Sequence, residues 1–308
     1  MSAKSYDIII IGAGIAGMTA AIYAHRAGKT VLVLEDKVPG GQIVNTFRVE
    51  NWPGDFGVSG AELSKKIHQQ MTEIGVETVF AKVDSIKRDD ASFVISAEDE
   101  EFDAKAVILA MGSKDRELDV PGGHELSGKG IFYCATCDGA LFQGKDIAVI
   151  GGGNSALSGA LYLSELANKI YIINLGSEFK GDKIIVEKLQ AKENVEFLLG
   201  YATEEVAGDS KVQGIKLKPS GLIKEVMDSL ELKVDGVFVA IGKQPATDLV
   251  SGLVKLDAAG YIVAGEDCHT SCEGIFVAGD CRTKQLRQLV TAAADGAMAA
   301  SEAVQYLR

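Results

Sequence analysis

Asp7-Ile-Ile-Ile-Ile-Gly12-Ala-Gly14-Ile-Ala-Gly17 and Asp146-Ile-Ala-Val-Ile-Gly151-Gly-Gly153-Asn-Ser-Ala156 are two copies of one pattern. In each, a short apolar run leads into closely spaced glycines. An amphipathic stretch follows, Met18–Ala27 in one copy and Leu157–Ala167 in the other, and then a second apolar run, Thr30–Glu35 or Lys169–Asn174. Tyr23 of the first copy corresponds to Tyr162 of the second. Strand, glycine turn, helix and strand in this order form the fingerprint of a dinucleotide site. The first glycine allows the tight turn and the second lets backbone approach a pyrophosphate. The third, or an alanine, lets the helix pack on the strand. The pyrophosphate then meets unpaired N–H groups at the positive end of the helix. A glycine turn without a phosphate is the plain alternative for one copy alone, and its recurrence in a matching context argues against it.

The chain has 308 residues, enough for two domains of ordinary size. Its 31 basic and 43 acidic residues leave a net charge of −12, which disfavours nucleic acid and anionic membrane as partners. No apolar run approaches the roughly 20 residues that cross a bilayer. Met-Ser-Ala-Lys runs straight into the strand-like Tyr6–Ile11, which leaves no room for a signal peptide and predicts a cytoplasmic location. Structural disulfides are uncommon there, so the five cysteines are read as free, metal-binding or catalytic.

Three further segments, Ala106–Gly112, Gly236–Gly242 and Gly274–Asp280, each read as a buried strand ending in a small-residue turn. Val212–Lys218 and Lys224–Val234 suggest strands around Gly221, and Leu289–Leu307 reads as an alanine-rich helix. Asp84–Asp90 and Glu98–Asp103 look like solvated hairpin charges, and Lys183–Lys192 like an exposed helical face. The four histidines show no spacing typical of a metal site.

Glu35 ends the second strand of the first copy, 23 residues after Gly12. A carboxylate there accepts hydrogen bonds from ribose hydroxyls and repels a 2′-phosphate, so FAD and NAD fit and NADP does not. The chain's other chemical signal is Cys134-Ala-Thr-Cys137-Asp138, just before the second copy. Two cysteines spaced in this way reach disulfide distance, and one thiolate helps to stabilise the other. Zinc would need a second ligand pair, for which Cys268 and Cys272 are the candidates without a supporting pattern. A redox dithiol is favoured over zinc and over an inert buried pair. Asp138 can move protons beside the thiols or serve as a solvated cap.

Together GAGIAG, ENWPG, CATCD and GGGNSA, with the closing Ala278-Gly-Asp280 and Arg287-Gln288, resemble the low-molecular-weight thioredoxin reductases over nearly the whole chain. The resemblance implies an α/β fold of two Rossmann-like, doubly wound domains, of the two-domain flavoprotein disulfide reductase type. It implies FAD bound by Gly12, Gly14, Ile15, Ala16, Gly17 and Glu35 of the first copy. Gly41, Gln42, Thr46, Asn51, Val83 and Gly112 join that site, as do Asp280 against the ribityl chain and Arg287, Gln288 and Leu289 near the flavin ring. Trp52 reads as an ordinary packed aromatic. In the redox centre the resemblance makes Cys137 the cysteine nearest the flavin, Cys134 the one that attacks thioredoxin, and Asp138 the acid–base. A homodimer is expected by resemblance alone.

The second copy departs from that pattern. Members that use NADPH carry HRRxxxR after the second strand, an arginine fork for the 2′-phosphate. Here the stretch is Asn174-Leu-Gly-Ser-Glu-Phe-Lys180, so Leu175 and Gly176 replace two arginines and only Lys180 is basic. Ser158-Gly159 stand where the family has carboxylates. At the offset of Glu35 the second copy has Asn174, so the NAD determinant is missing too, although an amide still accepts one ribose hydrogen bond. This degeneracy favours ferredoxin as donor, as in ferredoxin-dependent flavin thioredoxin reductases, with weak or no use of NADPH. Docking an acidic ferredoxin needs a basic face, for which Lys65, Lys66, Arg282, Lys284 and Arg287 are the candidates. The alternatives are an NADPH enzyme with atypical phosphate contacts and a redox-sensing flavoprotein without turnover. Cys268, Cys272 and Cys281 are expected to be free thiols, with Cys281 the one to watch because it follows Asp280.

The expected division is a discontinuous FAD-binding domain, 1–114 and 244–308, around an inserted domain, 115–243, that carries the dithiol and the degenerate nucleotide fold. Pro121-Gly-Gly and Lys243-Gln-Pro245 mark the crossings, and two crossings suggest a hinge.

Overall fold

A computed structural model describes residues 4–46, 49, 51–90, 92–225 and 227–308. Expectations that touch Met1–Ala3, Glu50 and Val226 lie outside the described residues. The chain forms two compact units: one runs to Lys114 and resumes over Gln244–Arg308, and the other is Asp115–Lys243.

In the first unit the strands are β1 (Lys4–Ile11), β2 (Val31–Glu35), β3 (Glu77–Phe80), β4 (Val83–Asp89), β5 (Ser92–Ala97) and β6 (Glu100–Leu109). They lie in the order β3-β2-β1-β6-β5-β4, with β1, β2 and β3 parallel to one another and β1 parallel to β6. One edge of β6 is divided. Its first half pairs antiparallel with β5 and its last three residues pair parallel with Ile275–Val277, a strand near the end of the chain. The isoleucine run of β1 follows from burial on both faces. Ile8 and Ile10 face the helices α1 (Ile15–Arg26), α2 (Gly60–Glu73) and the C-terminal helix, whereas Ile9 and Ile11 pack with Leu32, Leu34, Phe93 and Phe102. Each fully buried isoleucine stabilises the unit by roughly 1.5–3 kcal/mol relative to exposure. Ser59 caps α2 by accepting the Glu62 N–H at 3.2 Å.

The chain leaves and re-enters this unit on two short strands that pair with each other, β7 (Ser113–Asp115) and a later one at Lys243–Pro245. The second unit holds β8 (Ile131–Phe132), α3 (Ala135–Asp138), β9 (Asp146–Ile150), α4 (Asn154–Leu163), β10 (Lys169–Asn174), α5 (Lys183–Gln190), β11 (Val195–Leu199), β12 (Tyr201–Ala207), β13 (Gly214–Pro219), β14 (Leu230–Leu232) and β15 (Gly236–Val239). Its parallel sheet has the order β11-β10-β9-β15-β8. The repeat therefore extends to topology, with β3-β2-β1-β6 in one unit and β11-β10-β9-β15 in the other. A three-stranded antiparallel sheet, β12-β13-β14, accompanies it. The strand expected over Lys224–Val234 is confined to Leu230–Leu232. The polar Lys-Glu at 224 and 225 forms a turn, having no apolar alternation to bury.

The first unit is completed by β16 (Lys243–Pro245), β17 (Ile275–Val277) and α6 (Leu289–Tyr306). Among the described residues no helix is long and apolar enough to cross a membrane, and no cluster of three metal-ligating side chains occurs.

Candidate active site

The fingerprint turn of the first unit is built by close approach. Gly12 has φ +101°, and a Cβ there would lie 2.5 Å from the Ala110 carbonyl oxygen. At Gly17 a Cβ would lie 1.8 Å from the Gly12 oxygen, so the helix start rests directly on the turn. Gly14 is the N-cap of α1, with no side chain capping the helix and no acidic residue in its first turn. A Cβ on Gly14 would meet no atom within 4 Å. Ile15 and Ala16 fill the first turn and are buried. Uncapped N–H groups facing open space suit a pyrophosphate.

Glu35 is buried, and its carboxylate ties the turn to the next loop. Oε2 accepts the Ala13 N–H at 2.7 Å and Oε1 accepts the Lys37 N–H at 3.0 Å. Burial raises its pKa against those two bonds. Each oxygen keeps a lone pair for a ribose hydroxyl.

The other expected residues converge on the same end of the sheet. The Gly40 N–H donates to the Ala13 oxygen at 2.7 Å, which places Gly41 beside Gly14, and the Gln42 amide donates to the Ser113 oxygen and Oγ at 2.6 and 2.9 Å. The Thr46 carbonyl accepts the Gly60 N–H at 2.7 Å at the start of α2. Gly112 has φ +67° and follows β6. Asn51 Nδ2 donates to Gln288 Oε1 at 2.9 Å, and Gln288 caps α6 in a capping box with Thr291. Leu289 is the first residue of α6. Asp280 is half-buried in the turn Gly279–Cys281, which follows β17. Arg287 lies 4.0 Å over the Tyr261 ring and donates to the Asp280 and Arg282 carbonyls, so its side chain holds the loop. Val83 joins by packing alone, opening β4 in the cluster that includes Leu34 and Met111. Trp52 is a half-buried packed aromatic, as expected. The residues present fit an FAD: an open helix start, a ribose acceptor and a loop that returns to the same strand ends.

In the second unit Cys134 and Cys137 form a disulfide, with Cα atoms 5.3 Å apart. Cys134 is the N-cap of α3. Its sulfur accepts the Cys137 N–H at 3.1 Å and lies 3.5 Å from Thr136 Oγ1. After reduction these groups favour a thiolate at Cys134. Cys134 is half-buried and Cys137 exposed. Burial raises the pKa of Asp138, which suits a carboxyl group that carries a proton.

The glycine turn of this unit is different. Asn174 Nδ2 donates to the carbonyls of Gly176 and Glu178 at 3.2 and 2.8 Å, and its Oδ1 lies over Gly152, 2.4 Å from where a Cβ would be. Both amide protons are thus used within the chain. Leu175 and Lys180 are exposed.

Two expectations meet a correction or a limit. The five expected cations do not form one basic face: Arg282 is 1% exposed, the Lys284 side chain is 5% exposed, Arg287 is stacked on Tyr261 and Lys66 is paired with Asp55 and Glu62, while Lys65 is exposed on α2. Buried cations bond to carboxylates within the fold instead of presenting charge to a partner. Cys268, Cys272 and Cys281 are free, as expected. However, burial pushes the Cys281 thiol up to about 11 and the Cys268 thiol up to about 12, which disfavours the reactive thiolate at both. The sequence also did not reveal Tyr261 or Asp295, each of which fastens the Gly279–Leu289 segment. Asp295 carried a signal, being the first charged residue of an alanine-rich helix.

Residues 6–296 match the family model for pyridine nucleotide-disulphide oxidoreductases. The chain belongs to this family. It is 40% identical over 307 residues to the thioredoxin reductase of Listeria monocytogenes, covering 99% of this chain and 94% of the relative. It matches the structure of the Lactococcus lactis thioredoxin reductase with a TM-score of 0.94 and 38% identity, covering 98% of this chain and 99% of the other. This oxidoreductase is a flavoprotein that uses FAD and acts on a disulfide. Its fold is the two-domain α/β fold of flavoprotein disulfide reductases. A ferredoxin-flavin thioredoxin reductase of Clostridium acetobutylicum matches with a TM-score of 0.54 and 32% identity over 99% of each chain. The comparisons thus lend no support to ferredoxin as donor.

Proposed function

We propose that this oxidoreductase is a thioredoxin reductase whose working groups are Cys134, Cys137 and Asp138. The observation that carries it is the Cys134–Cys137 disulfide beside a carboxyl group of raised pKa, in a chain similar throughout its length to thioredoxin reductases. Bound FAD, held in the unit of Gly12–Gly17, Glu35, Asp280 and Arg287–Leu289, supplies the electron pair. Two electrons and two protons convert the disulfide to two thiols, and Asp138 moves a proton at the sulfurs. The Cys134 thiolate then attacks one sulfur of oxidised thioredoxin, forming a mixed disulfide and releasing a thiolate. Cys137 attacks Cys134 in turn, re-forms the internal disulfide and frees reduced thioredoxin.

For the donor, the relatives favour a reduced pyridine nucleotide bound at the second glycine turn through contacts other than an arginine pair. A second reading, ferredoxin, is favoured by one observation: Leu175 and Gly176 occupy the arginine positions, and Asn174 spends both amide protons on its own loop. Burial of Arg282 and Lys284, two of the expected docking cations, weighs against it. Anaerobic mixing with NADPH, NADH and reduced ferredoxin, followed at the flavin absorbance and coupled to thioredoxin turnover, decides between them. Bleaching by a nucleotide at micromolar concentration supports the first reading, and bleaching by ferredoxin alone supports the second. One stoichiometric reduction without turnover of thioredoxin, with every donor, overturns the enzyme reading in favour of a redox sensor. Homodimer formation, implied by the resemblance, is checked by light scattering.

A further inference from the structure

A buried group of charges lies directly beneath the loop that carries Asp280. Arg282, Lys284 and Asp295 are all nearly inaccessible, with side chains 2, 5 and 6% exposed. Asp295 Oδ2 accepts from Arg282 Nε at 2.9 Å, from Lys284 Nζ at 2.7 Å and from the Gly279 N–H at 2.9 Å, and Oδ1 accepts from Arg282 Nη2 at 2.8 Å. One carboxylate therefore grips the chain on both sides of Asp280, at Gly279 and at Arg282. Arg282 Nη1 also donates to the Thr283 carbonyl at 3.0 Å, and Lys284 Nζ approaches the Thr291 carbonyl, in the first turn of α6, at 3.3 Å. Next to Asp295, a Cβ on Gly296 would lie 2.2 Å from the Ala16 oxygen, so the same turn of α6 bears on the fingerprint helix.

The arrangement is costly unless it does something that neutral packing does not. A buried ion pair rarely outperforms apolar residues of equal volume for stability. Here the cost is larger, because two cations share one buried carboxylate. Glu266 also reaches Arg282 Nη2, at 3.3 Å, but its side chain is 91% exposed and screened by water. Within this trio two cations therefore share one fully buried carboxylate, with the half-buried Asp280 the other carboxylate of the loop. Burial works to raise the pKa of Asp295, and the bonds from Arg282 and Lys284 outweigh it, so the group stays ionised.

We propose that Arg282 and Asp295 form a positioning group for the flavin, setting the Asp280 loop and the start of α6, and that the charge of Lys284, which shares Asp295 with Arg282, favours the reduced, more negative cofactor. The inference rests on FAD binding alone and stands whichever donor serves the enzyme.

Two variants separate it from a merely structural role. Asp295→Asn removes the grip and leaves two unmatched cations. Lys284→Met keeps the Arg282–Asp295 pair and removes the second cation. The measurements are FAD affinity of the apoprotein by fluorescence titration, folding of the apoprotein by circular dichroism, and flavin midpoint potential by dye equilibration. Asp295→Asn is expected to weaken FAD binding at least tenfold in a folded apoprotein and to raise the potential of what binds. Lys284→Met is expected to leave FAD affinity within about threefold and to lower the potential. Shifts of opposite sign are the signature, since a packing defect has no reason to reverse sign between the variants. A folded Asp295→Asn apoprotein that binds FAD as tightly as the parent overturns the proposal. So does a Lys284→Met holoprotein with the parental potential, and that variant alone decides the matter if Asp295→Asn does not fold.

Discussion

Replacing Gly17 by alanine tests whether the turn and the cofactor are coupled through helix position. The added methyl would lie 1.8 Å from the Gly12 oxygen and 3.3 Å from the Ala110 Cβ. A carbon–oxygen contact needs roughly 3.3 Å, so the start of α1 must move by about 1.5 Å. That movement displaces the Gly14 and Ile15 N–H groups from the pyrophosphate site and disturbs Ala16, which packs closely against Gly279 and against Gly296 of α6. Overpacking costs typically 1–3 kcal/mol, and if the upper end falls on the FAD-bound geometry, affinity drops on the order of 100-fold. Apoprotein titration with FAD, read by quenching of flavin fluorescence, measures it. The second unit supplies an internal control, because Ala156 occupies the corresponding position there. Ala156→Gly removes one methyl and is expected to cost about 1 kcal/mol of stability with FAD affinity unchanged. A folded Gly17→Ala protein that binds FAD within threefold of the parent would refute the coupling.

Alkylation of the oxidised protein at pH 8 is expected to label Cys272 alone, because burial both shields the Cys281 and Cys268 thiols and raises their pKa well above that pH; prompt labelling of Cys281, read by peptide mass, would contradict its burial. Asp138→Asn is expected to slow disulfide exchange at least about tenfold. It should also raise stability at neutral pH. Burial raises the folded pKa of Asp138, so its ionisation opposes folding above that pKa, and the penalty is absent below the ordinary value of 3.8. Urea titrations across pH 3–8 should therefore show the gain of the variant shrinking as pH falls, and a widening gap would reverse the assignment.

Much of this architecture was written in short-range pattern. The isoleucine run before Gly12 and its echo before Gly151 required strands buried on both faces, and the spacing to Glu35 and Asn174 located the strand ends. Cys134 and Cys137 were readable because three residues of separation already bring two sulfurs within reach. What sequence did not expose depends on partners far along the chain. Arg282 and Lys284 look like surface cations when read locally. Only the fold delivers Asp295, 13 residues past Arg282 and on another element, to take both. Similarly, Asn174 was legible as the wrong ribose acceptor, but its role as a tie to Gly176 and Glu178 required the loop's conformation. The Lys224–Val234 expectation overreached because alternation there spans only three residues that find a pairing partner.

The divided edge of β6 has a consequence for biosynthesis. The first nucleotide-binding repeat leaves the ribosome before the second unit, yet the strand beside Val107–Leu109 and the helix against α1 follow that whole unit in the chain. The sulfur-bearing unit is contiguous and has all of its strands before then. A nascent chain stalled after Lys243 would therefore hold the cysteine pair on a complete sheet with no finished seat for the cofactor.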